Sequence, residues 1–256
     1  MTPSQLEKGQ TFQDLHEGEP FVIPNPWDAG SAQTLAKLGF QALASTSGGF
    51  AQTLGRADGE VSFEEAVEHA RTLDRATDLP VSMDLENGYG PAPADAALAI
   101  TSVAVAGAVG GSIEDWDRDG GFIYEPDQAA ERVAAAVDAA RALDFPFTLT
   151  ARAENHFRGN PDLDDTIRRL QAYEAAGADV LFAPGLRSDE EIRTLCGAVS
   201  KPVNVLAFPD MSMERIATAG AQRVSVGSWL AHIASQAAMA AASKIRESGV
   251  FSALSA

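Results

Sequence analysis

Short apolar runs recur along the chain, separated by longer stretches whose apolar residues return every three or four positions. The short runs suit β-strands and the longer stretches suit amphipathic helices. Eight strands are predicted, over residues 21–24, 42–46, 81–85, 109–113, 147–151, 180–183, 203–207 and 223–227. Pro80, Pro146 and Pro202 introduce three of them, ending the preceding helix and starting an extended segment. The stretches FEEAVEHARTLDRA, DQAAERVAAAVDAARAL and LDDTIRRLQAYEAAG carry the helical period. Strand and helix alternate to the end without a linker, which predicts one (β/α)8 TIM barrel over residues 1–256. The stretch 229–256 is longer than a barrel helix requires. It is expected to form an extra C-terminal helical extension packed on a partner subunit.

Composition narrows the partners. A net charge of −17 with only four lysines argues against nucleic acid or anionic membrane. No apolar run reaches the roughly eighteen residues of a membrane span, and the polar N-terminus has no signal-peptide core, so a soluble cytoplasmic protein is expected. The single cysteine, Cys196, fits a reducing compartment and falls on an outer helix, where a structural role is expected. An anionic substrate would need a local cation, either a metal or a well-placed arginine.

In this architecture chemistry sits where strands end. Asp84 and Glu86, two apart at the end of the third strand, are expected to share a face, and Glu114 from the fourth strand to join them. Three carboxylates need a cation, and an all-oxygen set suits Mg²⁺, with Mn²⁺ also possible. Arg152 ends the fifth strand and is expected to bind a carboxylate or phosphate, or to pair with Glu86 or Glu114. Thr46, Ser47 and Gly48 follow the second strand in a turn able to approach an anion, and Asn204 lies on the seventh strand. Trp27 is a candidate for the pocket wall or for packing, and His156 for protonation or for a solvated loop. No lysine falls on a strand at the active rim, which argues against a Schiff-base aldolase.

The segments PNPWDAGSAQTLAKLGFQALASTSGG, LGRADG, PVSMDLENGYG, GSIED, LTARAENHF, AGADVLFAPG and PVNVLAFP together resemble the isocitrate lyase/phosphoenolpyruvate mutase family, from residue 24 to about 228. The resemblance implies a (β/α)8 barrel, usually tetrameric, with a C-terminal helix exchanged between subunits. It further implies Mg²⁺ near Asp84, Glu86 and Glu114, a substrate carboxylate at Ser47 and Gly48, Arg152 on the substrate, and Asp58 on a mobile gating loop. Asn204 matches a polar site position of the family.

Two departures bear on the reaction. Family members that cleave isocitrate or methylisocitrate carry a Lys-Lys/Arg-Cys-Gly-His loop after the fourth strand, whereas this chain reads EDWDRDGGFIYEP there. Phosphonomutases place Lys after the acid pair, where Trp116 stands here, and an Asn-rich loop after the gating aspartate, where Gly59-Glu60-Val61 stands. The resemblance therefore implies a lyase acting through an enolate on a small 2-keto or 2-hydroxy carboxylic acid, by C–C cleavage, decarboxylation or hydrolysis. The catalytic set is expected to be Asp58, Arg152 and Glu114. A P–C bond enzyme of the phosphonomutase kind and a non-catalytic keto-acid-binding barrel are the alternatives, and a homodimer or homotetramer is expected.

Overall fold

The computed structural model describes residues 2–254. Eight parallel strands form the barrel: β1 (Phe21–Ile23), β2 (Leu43–Ala44), β3 (Val81–Asp84), β4 (Gly110–Glu114), β5 (Thr148–Arg152), β6 (Val180–Phe182), β7 (Val203–Leu206) and β8 (Arg223–Ser225). Each predicted strand is present, displaced by no more than two residues at either end. The ladder runs from β2 in chain order to β8 and then to β1. The seam between β1 and β2 is bridged by the Ala44 N–H, which donates to the Pro24 carbonyl at 3.1 Å. Asn25 reinforces it: its Nδ2 donates to the Ser45 carbonyl at 3.1 Å, and its Oδ1 accepts from the Val226 and Gly227 N–H groups at 2.9 and 2.8 Å. The barrel is thus nearly closed, as the alternating pattern requires.

The helices are α1 (Gln5–Leu15), α2 (Ala29–Lys37), α3 (Ser47–Thr53), α4 (Phe63–Ala76), α5 (Pro93–Val105), α6 (Pro126–Arg141), α7 (Leu163–Ala175), α8 (Asp189–Ala198), α9 (Met213–Thr218) and α10 (Trp229–Ser248). Their starts follow local chemistry. Ser4, Ser62 and Ser188 form capping boxes with Glu7, Glu65 and Glu191, and α5 and α6 begin with proline, whose missing N–H costs nothing in a first turn. The main core lies between strands and helices, with Leu73, Met83, Ile100, Leu149 and Leu181 fully buried. A separate cluster of Phe12, Phe21, Ile23, Ala42 and Val109 seats α1 under the N-terminal mouth. Full burial of one such Leu or Phe is worth about 1.5–3 kcal/mol.

Three elements were not expected from the sequence: α1, α3, and an antiparallel hairpin of Trp116–Asp117 with Phe122–Ile123 in the loop after β4. Two-residue strands leave no period to read. Asp117 makes the hairpin turn, its Oδ1 accepting from the N–H groups of Asp119 and Gly120. The C-terminal extension is helical, with α10 followed by a 3₁₀ turn at Phe251–Leu254. It exposes Trp229, Ile233, Met239, Phe251 and Leu254. Among the described residues no helix is long and apolar enough to cross a membrane.

Candidate active site

β3, β4 and β5 are neighbours, and in register Asp84 lies beside Ser112 while Glu114 lies beside Arg152. Their C-terminal ends therefore deliver two acids and one cation to the same rim. Arg152 is the hub. Its Nη1 lies 3.3 Å from Glu114 and 4.0 Å from Asp84, its Nε donates to Glu154, and its guanidinium stands 5.3 Å over the Phe182 ring. Three carboxylates overcome the cost of burying this cation and hold its pKa above the ordinary arginine value. Arg152 Nη2 donates to no described group, which leaves it available to a substrate.

Glu86 arrives differently from the way alternation along a strand predicts. β3 stops at Asp84, and Glu86 sits in the following turn with φ 49°, a left-handed conformation that a side chain seldom adopts. Tyr89 shares the strain at φ 63°. Strain of this kind, of order 1–3 kcal/mol, persists where the surroundings fix it. Here the Glu86 carbonyl accepts from the Glu114 N–H at 2.8 Å. The Glu86 carboxylate is held by Arg118 of the hairpin at 2.7 Å, while its Oε1 is buried without a partner. Burial pushes its pKa up to about 7, against the pull of Arg118.

The three carboxylates expected around one centre each stand beside an arginine. Among the described residues no three His, Cys, Asp or Glu side chains are arranged as metal ligands. Arg152 stands among Asp84, Glu114 and Glu154, and Arg118 draws Glu86 aside. Arg158 adds to the neutralisation, with Nε 2.9 Å from Glu154 and its guanidinium 4.6 Å over the Trp116 ring. In kind the donors still suit a hard divalent cation. They are all oxygen, Glu86 Oε1 is an orphan, and Asp84 accepts only two backbone N–H bonds, from Ser47 at 3.2 Å and Glu86 at 3.4 Å.

A cavity of about 170 Å³ opens at this rim and descends into the barrel. Thr46, Ser47, Asp58, Asp84, Arg152 and Asn204 all line it. Thr46 caps α3 and shares a 2.7 Å hydrogen bond with Ser228. Gly48 lets this turn approach Ser228 and Asp58 closely: a Cβ there would fall 2.9 Å from Ser228 Oγ and 3.2 Å from the Asp58 carboxyl carbon, so those side chains would have to shift. Asp58 makes no hydrogen bond or ion pair with a described residue, and it also lines a smaller space of about 140 Å³ with Glu86, Glu114, Arg118 and Arg158. Gly55 and Gly59, either side of it, have φ of 70° and 88°, so the loop turns at two positions that favour glycine.

Trp27 does not line the cavity. Its Cβ lies beside Gly49 of α3. His156 also turns away, with Nε2 3.8 Å from Glu191 of α8. Asp115 is a structural junction, accepting from the Glu154 N–H at 2.7 Å, the Tyr173 hydroxyl at 2.6 Å and Arg169 at 3.1 Å. Arg118, Arg158 and Ser228 escaped the sequence reading because they come from loops with no periodic signal. Cys196 lies on α8, away from the cavity, and burial pushes its thiol up to about 11. Cys196→Ser is expected to keep turnover within about twofold. A loss of several hundredfold at unchanged Tm would give the thiol a chemical role.

The profile of the family described as phosphoenolpyruvate phosphomutase matches residues 12–246. A Burkholderia cenocepacia protein assigned provisionally as a lyase/mutase has a solved structure that superposes with a TM-score of 0.95 at 49% identity, covering 98% of this chain and 92% of that one. The 2-methylisocitrate lyase of Halalkalibacterium halodurans is 30% identical over 86% of this chain and 76% of its own length. Phosphonopyruvate hydrolase, solved with oxalate and Mg²⁺, shares the fold at a TM-score of 0.87 and 21% identity, over 97% of this chain and 90% of its own.

Proposed function

The chain belongs to the phosphoenolpyruvate phosphomutase family, and on that footing we propose that it is a Mg²⁺-dependent lyase of a small 2-keto or 2-hydroxy carboxylic acid, working through an enolate. The observation that carries this reading is the rim itself: Asp84, Glu114 and Arg152 meet at adjacent strand ends, and an uncommitted Asp58 faces them across the cavity. Asp84 and Glu86 would hold the ion, with Glu114 completing the set. Bound there, it would act as a Lewis acid on the substrate's 2-oxygen. Arg152 orients the substrate carboxylate through Nη2, and Ser47 and Thr46 close the far side. Asp58 moves the proton at the enolate carbon, and its loop keeps bulk water out.

The test is turnover of a panel of keto and hydroxy acids with Mg²⁺ and with excess chelator. Metal-dependent loss of one acid supports a lyase, P–C cleavage of phosphonopyruvate would reassign the bond, and binding without turnover would make the barrel a sensor. Asp58→Ala is expected to cut turnover roughly a hundredfold while calorimetric Mg²⁺ affinity stays unchanged. A fully active variant would reduce the loop to a connection.

The apolar side chains of α10 and the turn after it are proposed to cover a second copy of this chain. Light scattering is then expected to give at least twice the 26.8 kDa chain mass. A monomer at micromolar concentration would contradict it.

A further inference from the structure

Barrel lumens of this class are filled by layers of branched aliphatic side chains. Here the layer beneath the rim is polar. Ser82, Ser112 and Thr150 stand two residues before Asp84, Glu114 and Arg152 on their strands, roughly 7 Å lower at about 3.3 Å per residue. Asn204 and Ser225 line the lumen beside them, Arg223 enters from two residues below Ser225 on β8, and the cavity that opens at the rim continues down to all three.

Arg223 is buried, and among the described residues no carboxylate lies within ion-pairing distance of it. Its partners are neutral: Nε donates to Asn204 Oδ1 at 2.9 Å, Nη2 to Thr150 Oγ1 at 2.9 Å, and Nη1 meets His16 Nε2 at 3.3 Å. His16 Nδ1 bonds to the Phe12 carbonyl at 2.8 Å, which makes Nε2 the bare, accepting nitrogen. Burial, then Arg223, push the His16 pKa down to about 3, so this ring stays neutral. An arginine keeps its charge, and a buried charge calls for a counter-charge. The surrounding hydroxyls suit one. Ser82 and Ser112 make no side-chain hydrogen bond to a described residue, and Ser225 Oγ accepts from Asn204 Nδ2, which frees its own proton.

We propose that this lumen floor, centred on Arg223, is a second binding subsite that takes a single negatively charged group of halide or carboxylate size. The group can be a free halide or the distal carboxylate of a molecule bound at the rim. The subsite stands on the lumen alone, so it survives if the enolate reading fails.

Crystals of the full chain grown in bromide, without Mg²⁺ or substrate, are expected to show an anomalous bromide peak against the Arg223 guanidinium, absent from Arg223→Met. In solution, chloride at ten times its Kd is expected to raise Tm by about 4 °C over isethionate at equal ionic strength. Ser112→Val keeps the cation and removes one donor, so it should weaken the chloride effect even if Arg223→Met does not fold. A four-carbon keto dicarboxylate that displaces the bromide would identify the group as a substrate carboxylate. Bromide persisting beside it would identify a free halide. Equal Tm in both salts, with only water beside Arg223 in crystals with and without the dicarboxylate, overturns the proposal.

Discussion

Arg152→Met is expected to abolish measurable turnover and to lower Tm by roughly 10 °C. The two effects share one cause. Removing one partner of a buried ion pair typically costs about 3–5 kcal/mol, and in a chain of this size each kcal/mol moves Tm by about 2–4 °C. Arg152 compensates Glu114, Glu154 and Asp84 together, and Arg158 can relieve only the first two. Activity should fall by a thousandfold or more, since the substrate loses its charged anchor and the acids around it are left to protonate. Arg152→Lys separates the effects: a point charge restores part of the stability but not the planar fork that grips a carboxylate. Thermal melting and steady-state kinetics of both variants check this. Near-full activity in either would remove Arg152 from the substrate site.

Asp84→Ala is expected to lose Mg²⁺ binding and about a thousandfold in kcat/KM, the scale of a lost Lewis acid. The fold should survive. Asp84 is partly exposed at the rim, and its removal relieves crowding among the acids around Arg152. Burial already drives Glu114 well above the usual carboxylate range, and Asp84 adds to that push. Calorimetric titration with Mg²⁺ reads the first effect directly. Unchanged affinity would take Asp84 out of the metal site.

The strands were legible because their boundaries have local causes, such as Pro80, Pro146 and Pro202 before β3, β5 and β7. Once a barrel is inferred, the rim positions of Asp84, Glu114 and Arg152 follow from strand ends alone. Glu86 was expected at the rim through alternation along β3, but it comes there from a left-handed turn, and sequence carries no mark of such a turn at a glutamate. The arginines that hold the acids were harder to see. Arg118 depends on a hairpin whose strands are two residues long, and Arg158 on a loop that folds back over Trp116. Arg223 opens β8, where an inward and an outward arginine read alike; only the closed barrel shows it aimed at Thr150 on the facing strand. Trp27 shows the converse: an aromatic beside a rim motif reads equally as pocket wall or as packing, and here its Cβ lies beside Gly49 of α3.

This rim is proposed to stabilise a planar keto-acid enolate with the help of a divalent cation. Oxalate has the charge and planarity of such an enolate and undergoes no reaction, so its binding tests the claim without knowledge of the substrate. Calorimetric titration should find one oxalate per chain, bound at least a hundredfold tighter with Mg²⁺ than with chelator, and that enhancement should vanish in Asp84→Ala. Equal affinity with and without Mg²⁺, or no binding in either, would contradict it.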